Sequence, residues 1–424
     1  MAMSEERVRS NIIERRGLFS LGLASLATPL FACASRADPE SGSDALAPIG
    51  QPGDLGDLRE PGAPPETGIG LCLSGGGYRA MLFHVGALWR LYESGLLKQA
   101  KRISSVSGGS ITAGLLGLKW SRLPEDPTVG RPDFEREVVE PIRSLAGQTV
   151  DVSAVFGGIF LPGNVADRVA NAYAEHLYDN ATLQDLPDEP RFVINATNVQ
   201  SGALWRFSKR YMADYRVGAV EHPTVRLSVA VAASSAFPPV LSPMLLELDP
   251  TAFIATDGAD LHKEPYTKEA VLTDGGVYDN LGMETVWKRY DTVLVSDAGG
   301  KMQPEPEPAT NWVEHMVRVL DIIDNQVRSL RKRQLVDSFQ NGTRKGTYWG
   351  IRTDIAEYGL PDALPCPSER TLALAEVPTR LDRMPSRLQE QLINWGYAVC
   401  DAALRRHVAP DLKAGAFPYP GSTV

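Results

Sequence analysis

The chain has 424 residues, 43% of them hydrophobic, and a formal net charge of −9. That much apolar material fills a sizeable core, while the acidic balance and the lack of any basic tract interleaved with aromatics argue against nucleic acid and against broad electrostatic attachment to anionic lipid. Four cysteines do not make a disulfide scaffold.

In chain order, the first signal is Arg15-Arg16-Gly17-Leu18-Phe19, followed by a modestly apolar run to Ala32 and then Cys33. The run is too short, and too rich in glycine and serine, for a membrane span. Paired arginines ahead of such a run resemble a twin-arginine export signal. Leu30-Phe31-Ala32-Cys33 resembles a lipoprotein cleavage box with an unusual phenylalanine, and Ala32-Cys33-Ala34 also suits ordinary signal cleavage. Residues 1–33 are therefore expected to direct export to the cell envelope, with Cys33 as the position for lipid attachment. Residues 34–67, rich in Pro, Gly, Ser, Ala and acids, have the composition of a flexible tether. Residues 68–424 remain for one domain.

That domain opens on Ile-Gly-Leu-Cys-Leu at residues 69–73, an apolar run without polar alternation, as in a strand buried on both faces. Gly75, Gly76 and Gly77 follow. A helix is predicted over residues 78–94, with Met81, Val85, Leu88 and Leu91 at helical spacing and Gly95 as the stop. A glycine loop between strand and helix exposes backbone N–H groups at the positive end of the helix dipole, where a phosphate or an acyl-transfer oxyanion can sit. Residues 103–106 form the next predicted strand, Ser107 stands at its end, and a helix follows from Gly108 to about residue 118. A right-handed crossover makes the two strands parallel and brings both loops to their carboxyl ends. If the strands are neighbours, the loop amides and Ser107 face one crevice. The turn reads Ser105-Val106-Ser107-Gly108-Gly109, with serine where a nucleophile elbow usually has its first glycine. Far downstream, Ala270-Val271-Leu272 leads into Thr273-Asp274-Gly275-Gly276, a carboxylate at a strand end beside two small residues.

Taken singly, each of these pieces is an ordinary turn; their order and spacing carry the reading. No Gly-Lys-Ser/Thr follows the glycines, and no third glycine falls at the dinucleotide offset. A serine triad needs a histidine after the acid, but His315 lies in an amphipathic helix and His407 at a basic helix end, while His84 sits inside the helix after the glycine loop. A Ser107–Asp274 dyad fits better. Aspartate is a poor base in water, but in contact with the serine in a dry cleft it can accept the proton as the alkoxide adds to a carbonyl.

These residues resemble the patatin-like phospholipases, which are related to the eukaryotic cytosolic phospholipases. The likeness lies in Gly75-Gly76-Gly77-Tyr78-Arg79, in the elbow at Ser107, in Asp274-Gly275-Gly276, in Ala232-Ala233-Ser234-Ser235-Ala236-Phe237-Pro238-Pro239 and in Asn195-Ala196-Thr197-Asn198. It covers roughly residues 68–300. It implies a three-layer α/β fold with a central, largely parallel sheet flanked by helices. It also implies Ser107 as nucleophile, Asp274 as base, the amides of Gly75, Gly76 and Gly77 as oxyanion hole, and Arg79 near a substrate phosphate. The substrate class is then a lipid or phospholipid ester met at a membrane surface, with no cofactor, no metal, no nucleic acid and no obligate protein partner. A general esterase or thioesterase acting on soluble substrates, and a non-catalytic envelope lipid-binding protein, are the rival readings.

Two amphipathic helices close the chain. Residues 312–339 carry the cluster Arg328, Arg331, Lys332 and Arg333, and residues 386–407 carry Leu388, Leu392, Trp395 and Val399 on one stripe. Both are expected to pack on the core, with the basic cluster as a solvated end. Residues 156–162 and Phe237-Pro238-Pro239 could border an apolar acyl channel. Cys72 is expected to be a buried thiol, and Cys366 and Cys400 are the pair that could bridge.

Overall fold

The computed structural model describes residues 65–150, 165–239, 241–256 and 258–424. The export signal with Arg15, Arg16 and Cys33, nearly all of the tether and the 156–162 run lie outside the described residues. The strands are β1 (Glu66–Leu73), β2 (Ala100–Val106), β3 (Arg191–Asn198), β4 (Leu204–Phe207), β5 (Tyr211–Asp214), β6 (Gly218–Glu221), β7 (Met244–Glu247), β8 (Phe253–Ile254), β9 (Glu269–Asp274), β10 (Tyr290–Asp297) and β11 (Lys345–Gly350). They form one mixed sheet in the order β11-β10-β1-β2-β3-β4-β5-β6-β8, with β9 joining β3 and β7 joining β9. The centre β11-β10-β1-β2-β3 is parallel throughout, and the extension beyond β3 is antiparallel. The expected α/β architecture is present, with the antiparallel extension added to it.

The continuous apolar run of β1 feeds two cores. Successive strand side chains point to opposite faces, so Leu71 and Leu73 enter the large core while Cys72 joins Leu281, Met283, Val286 and Leu335 on the other side. Helices α1 (Gly77–Glu93) and α5 (Ser386–His407) cover the first face. They touch backbone to backbone: a Cβ on Gly86 would lie 1.9 Å from the Ile393 carbonyl oxygen, and one on Gly396 would lie 1.9 Å from that of Phe83. Between them the buried Arg90 guanidinium meets Asp401 at 2.7 Å, and removing one partner would strand a buried charge at about 3–5 kcal/mol. Trp395, fully buried, donates its Nε1–H to the Ile351 carbonyl at 2.8 Å; truncation to alanine there costs about 3–5 kcal/mol.

Between these helices in sequence come α2 (Gly108–Lys119), α3 (Leu227–Ser234) and α4 (Trp312–Gln340). Helix α4 behaves differently from the expectation. Only its C-terminal part packs, through buried Leu335 and Ser338 and partly buried Phe339, whereas most of its first five turns are exposed. The basic cluster is a solvated end only in part: Lys332 and Arg333 are exposed, but Arg328 and Arg331 turn to the body of the protein. Arg331 reaches Asp279 at 3.5 Å and Glu284 at 3.1 Å, and Arg328 donates to the Gly300 carbonyl. Cys366 and Cys400, the pair that could bridge, are separate buried thiols, and Cys72 is the buried thiol expected. Among the described residues no helix is long and apolar enough to cross a membrane.

Candidate active site

Strand β3 sets the geometry. Along one edge it pairs with β2 in parallel as far as Val106↔Asn195, and then with β9 in antiparallel from Ala196↔Asp274 onward. Because β4 occupies the opposite edge over residues 194–197, β2 and β9 must lie end to end on the same edge. Ser107 follows the last residue of β2, and Asp274 is the last residue of β9. Two groups 167 positions apart in the chain are thus brought together by consecutive residues of one strand.

The turn at Ser107 is sharp. Its φ of 50° and ψ of −121° lie where a residue with a side chain is strained by about 1–3 kcal/mol, as expected of a nucleophile elbow. Close backbone contact forces the sequence on either side. A Cβ on Gly108 would lie 2.2 Å from the Gly77 carbonyl oxygen, so the glycine loop and the elbow are one packed unit. A buried hydroxyl chain supports the strained residue from below. The Ser107 N–H donates to Ser234 Oγ at 2.9 Å, Ser234 Oγ lies 2.9 Å from Ser110 Oγ, and Ser110 donates to Ser105 Oγ at 3.0 Å. Serine in place of the usual glycine at 105 is therefore small enough for the turn and anchors this chain.

Asp274 is 3% exposed. Its Oδ1 accepts the Gly276 N–H at 2.6 Å, and the Ser107 side chain is near enough to act on its titration. Its backbone is fixed as well: the N–H donates to Ala236 at 2.9 Å and the carbonyl accepts Thr197 Oγ1 at 2.8 Å. Burial raises the carboxyl from the usual aspartate range to about 7, against the Gly276 hydrogen bond and the nearby Ser107 side chain, which lower it, and with a small further rise from Asp324. A base of that pKa is matched to neutral solution.

The glycine loop lies alongside. Gly77 has a φ of 58° and sits against the backbone of Thr379 and Arg380, where a Cβ would approach to 3.0 Å. Among the described residues the Gly76 and Gly77 amides have no hydrogen-bond partner, and neither α1 nor α2 has a capping side chain or an acidic residue in its first turn. Two positive helix ends therefore meet beside Ser107, an arrangement suited to an oxyanion. The third expected donor does not fit: the Gly75 N–H is already bonded to the Asn280 carbonyl at 3.1 Å. Gly75 serves by its small size, since a Cβ there would lie 2.4 Å from Asn280 Oδ1 and 3.2 Å from Ser107 Cβ.

A family model described as patatin-like phospholipase matches residues 71–287, half of the chain, and spans both Ser107 and Asp274. The chain belongs to the patatin-like phospholipase family. No curated protein matches it. Among solved structures, it is similar to human GIVD cytosolic phospholipase A2 in complex with methyl gamma-linolenyl fluorophosphonate, at 15% identity and a TM-score of 0.45, over 79% of this chain and 57% of that one. It is also similar to VipD from Legionella pneumophila, at 15% identity and a TM-score of 0.30, over 78% of this chain and 67% of that one. The chain spans about half the length of the human structures it matches.

In this patatin-like chain Arg79 does not sit where a substrate phosphate would need it. It is 3% exposed, and its guanidinium nitrogens donate to the carbonyls of Ala375, Val377 and Ala298 at 3.0, 2.7 and 2.8 Å. Burial and the nearby Arg352 lower its pKa to about 10, and its role is to clamp two segments, at residue 298 and at residues 375–377, behind the glycine loop. His84 is buried between Ser296 Oγ at 2.8 Å and the Ser74 carbonyl at 2.9 Å. Burial lowers its pKa to about 4, so it is a neutral strut. His315 and His407 are both exposed on their helices. Ser234, Asn280 and Asn195 stand in the site although the sequence reading assigned them no role, Ser234 and Asn195 falling within segments that carry the resemblance. Asn195 Nδ2 donates to Ser104 Oγ and to the Ser105 carbonyl, each at 2.9 Å. A hydroxyl or amide inside a small-residue motif was the available signal. Among the described residues no cluster of three or more His, Cys, Asp or Glu could hold a metal.

Proposed function

We propose that this protein is a serine acyl hydrolase that cleaves fatty-acyl esters of phospholipids through a Ser107–Asp274 dyad. The observation that carries the reading is that β2 and β9 end on consecutive residues of β3, so that Ser107 and the buried Asp274 meet beside two free loop amides. Ser107 Oγ attacks the ester carbonyl while its proton passes to Asp274. The carbonyl oxygen gains negative charge and is held by the Gly76 and Gly77 amides; one such donor is typically worth about 3–4 kcal/mol. Collapse of the tetrahedral adduct breaks the acyl–oxygen bond, and Asp274 returns the proton to the departing alcohol. Water, deprotonated by Asp274, then hydrolyses the acyl-enzyme and restores Ser107.

The family and the lipid chemistry its name implies support a membrane lipid as substrate. The Arg15-Arg16 and Cys33 segment supports a place in the cell envelope, tested by following radiolabelled fatty acid onto Cys33 and its loss in Cys33→Ala. The function itself is tested with defined long-chain phospholipids and with short-chain soluble esters. Release of free fatty acid from the phospholipid, abolished in Ser107→Ala, is the expected result. Turnover of short esters alone would favour a general esterase, and turnover of neither with retained vesicle binding a lipid-binding protein.

A further inference from the structure

Helix α4 breaks the usual rule for amphipathic helices, whose apolar stripe faces the core. Trp312, Met316, Val319, Leu320, Ile323 and Leu330 recur at intervals of three, four and seven residues, which at 100° per residue is one face of the helix. All six are exposed, Trp312 at 63%, Ile323 at 53% and Leu330 at 57%. The body of the protein lies off the stripe, where Arg328 is held to Gly300 and, at the stripe's edge, Arg331 to Asp279 and Glu284. Glu314, Arg318, Asp321, Asp324 and Arg328 all fall off the stripe, so no charged side chain interrupts it between Trp312 and Leu330.

The helix runs past the catalytic crevice. Asp324, next to Ile323, is close enough to act electrostatically on Asp274. Arg331 lies over the Tyr278 ring, four residues beyond Asp274, at 5.8 Å. The rim nearby is apolar too: Val277 is exposed, and exposed Phe237 follows Ala236, whose carbonyl accepts the Asp274 N–H.

We propose that the outward stripe of α4 is the surface by which this protein settles on a lipid bilayer, bringing the Ser107 crevice to its substrate; the proposal rests on the phospholipid reading above. Three features favour lipid over a protein partner. The stripe is about 27 Å long, which with a helix width near 10 Å gives roughly 300 Å², well short of the ~800 Å² per partner of a stable protein pair. It offers no charge or buried polar anchor to a protein groove. An uncharged stripe led by a tryptophan is suited to the boundary between headgroups and acyl chains, and the net charge of −9 directs it to zwitterionic rather than anionic lipid.

The test uses the full chain carrying Cys33→Ala, so that no acyl anchor contributes, with and without Met316→Glu/Ile323→Glu. In a Ser107→Ala background, co-sedimentation with phosphatidylcholine vesicles should weaken on the order of a hundredfold in the double variant. In the Ser107 form the same pair should lose hydrolysis of vesicle phospholipid in parallel while keeping turnover of p-nitrophenyl butyrate. Equal partitioning of the two proteins overturns the proposal. So does a parent protein whose mass by light scattering is that of a dimer and which the substitutions convert to a monomer. If partitioning depends on the stripe but neither ester nor phospholipid is hydrolysed, the surface stands and the hydrolase reading falls; hydrolysis with stripe-independent partitioning gives the reverse.

Discussion

The two halves of the candidate site are built on opposite principles. On the Ser107 side the discomfort is in the backbone: a left-handed φ, a turn crowded against Gly77, and a set of hydroxyls that hold it. On the Asp274 side the backbone is a plain strand end, and the discomfort is electrostatic, a carboxyl in a dry place with another acid nearby. One residue is made reactive by shape and the other by loss of water. Both arrangements reduce stability for the sake of a poised group.

The largest expected effect comes from Ser107→Ala, which should abolish fluorophosphonate labelling and lower turnover roughly 10⁵-fold or more. Ser107→Gly sharpens the comparison, because glycine adopts that φ freely and should raise stability by about 1 kcal/mol in chemical denaturation. Asp274→Asn comes next, with turnover down about 10³-fold in a folded protein. Its effect on stability reverses the usual sign for a site mutation and depends on pH. The folded carboxyl titrates at about 7 and the unfolded one in the ordinary aspartate range, so the folded state holds the extra proton in between. Stability therefore falls as pH rises through that window, and the asparagine variant should melt higher than the parent at pH 8 but not at pH 4. A melting difference independent of pH would remove the electrostatic half of the comparison. Ser234→Ala withdraws the acceptor under the Ser107 N–H and should cost roughly tenfold in kcat with little change in KM. The smallest effect is on the rate profile. For the parent, kcat/KM should rise with pH through about 7 as Asp274 ionises, and Asp324→Asn should move that limb to lower pH by removing a repelling charge.

Much of this was legible in the chain because close packing leaves residue types little freedom. The glycines at 76, 77 and 108, the elbow serine and the strand-end aspartate all announce themselves, and helix α5 spans the predicted Ser386–His407. What was not legible depended on partners distant in sequence. Nothing local tells that the Gly75 amide is taken by Asn280, or that Arg79 finds three carbonyls. The antiparallel approach of β9 is a property of β3's edge and not of either motif. Helices α4 and α5 show the same limit: periodicity reveals an apolar face in each, but only the surrounding chain decides whether that face is covered.

The end-to-end meeting of β2 and β9 makes strand registration the gauge that sets the distance between the reacting groups. Sliding β9 by a single residue along β3 would bring Thr273 or Gly275 opposite Ala196 and turn the carboxylate to the far side of the sheet. One inserted or deleted codon between residues 269 and 274 would thus silence the protein while leaving every motif intact on paper.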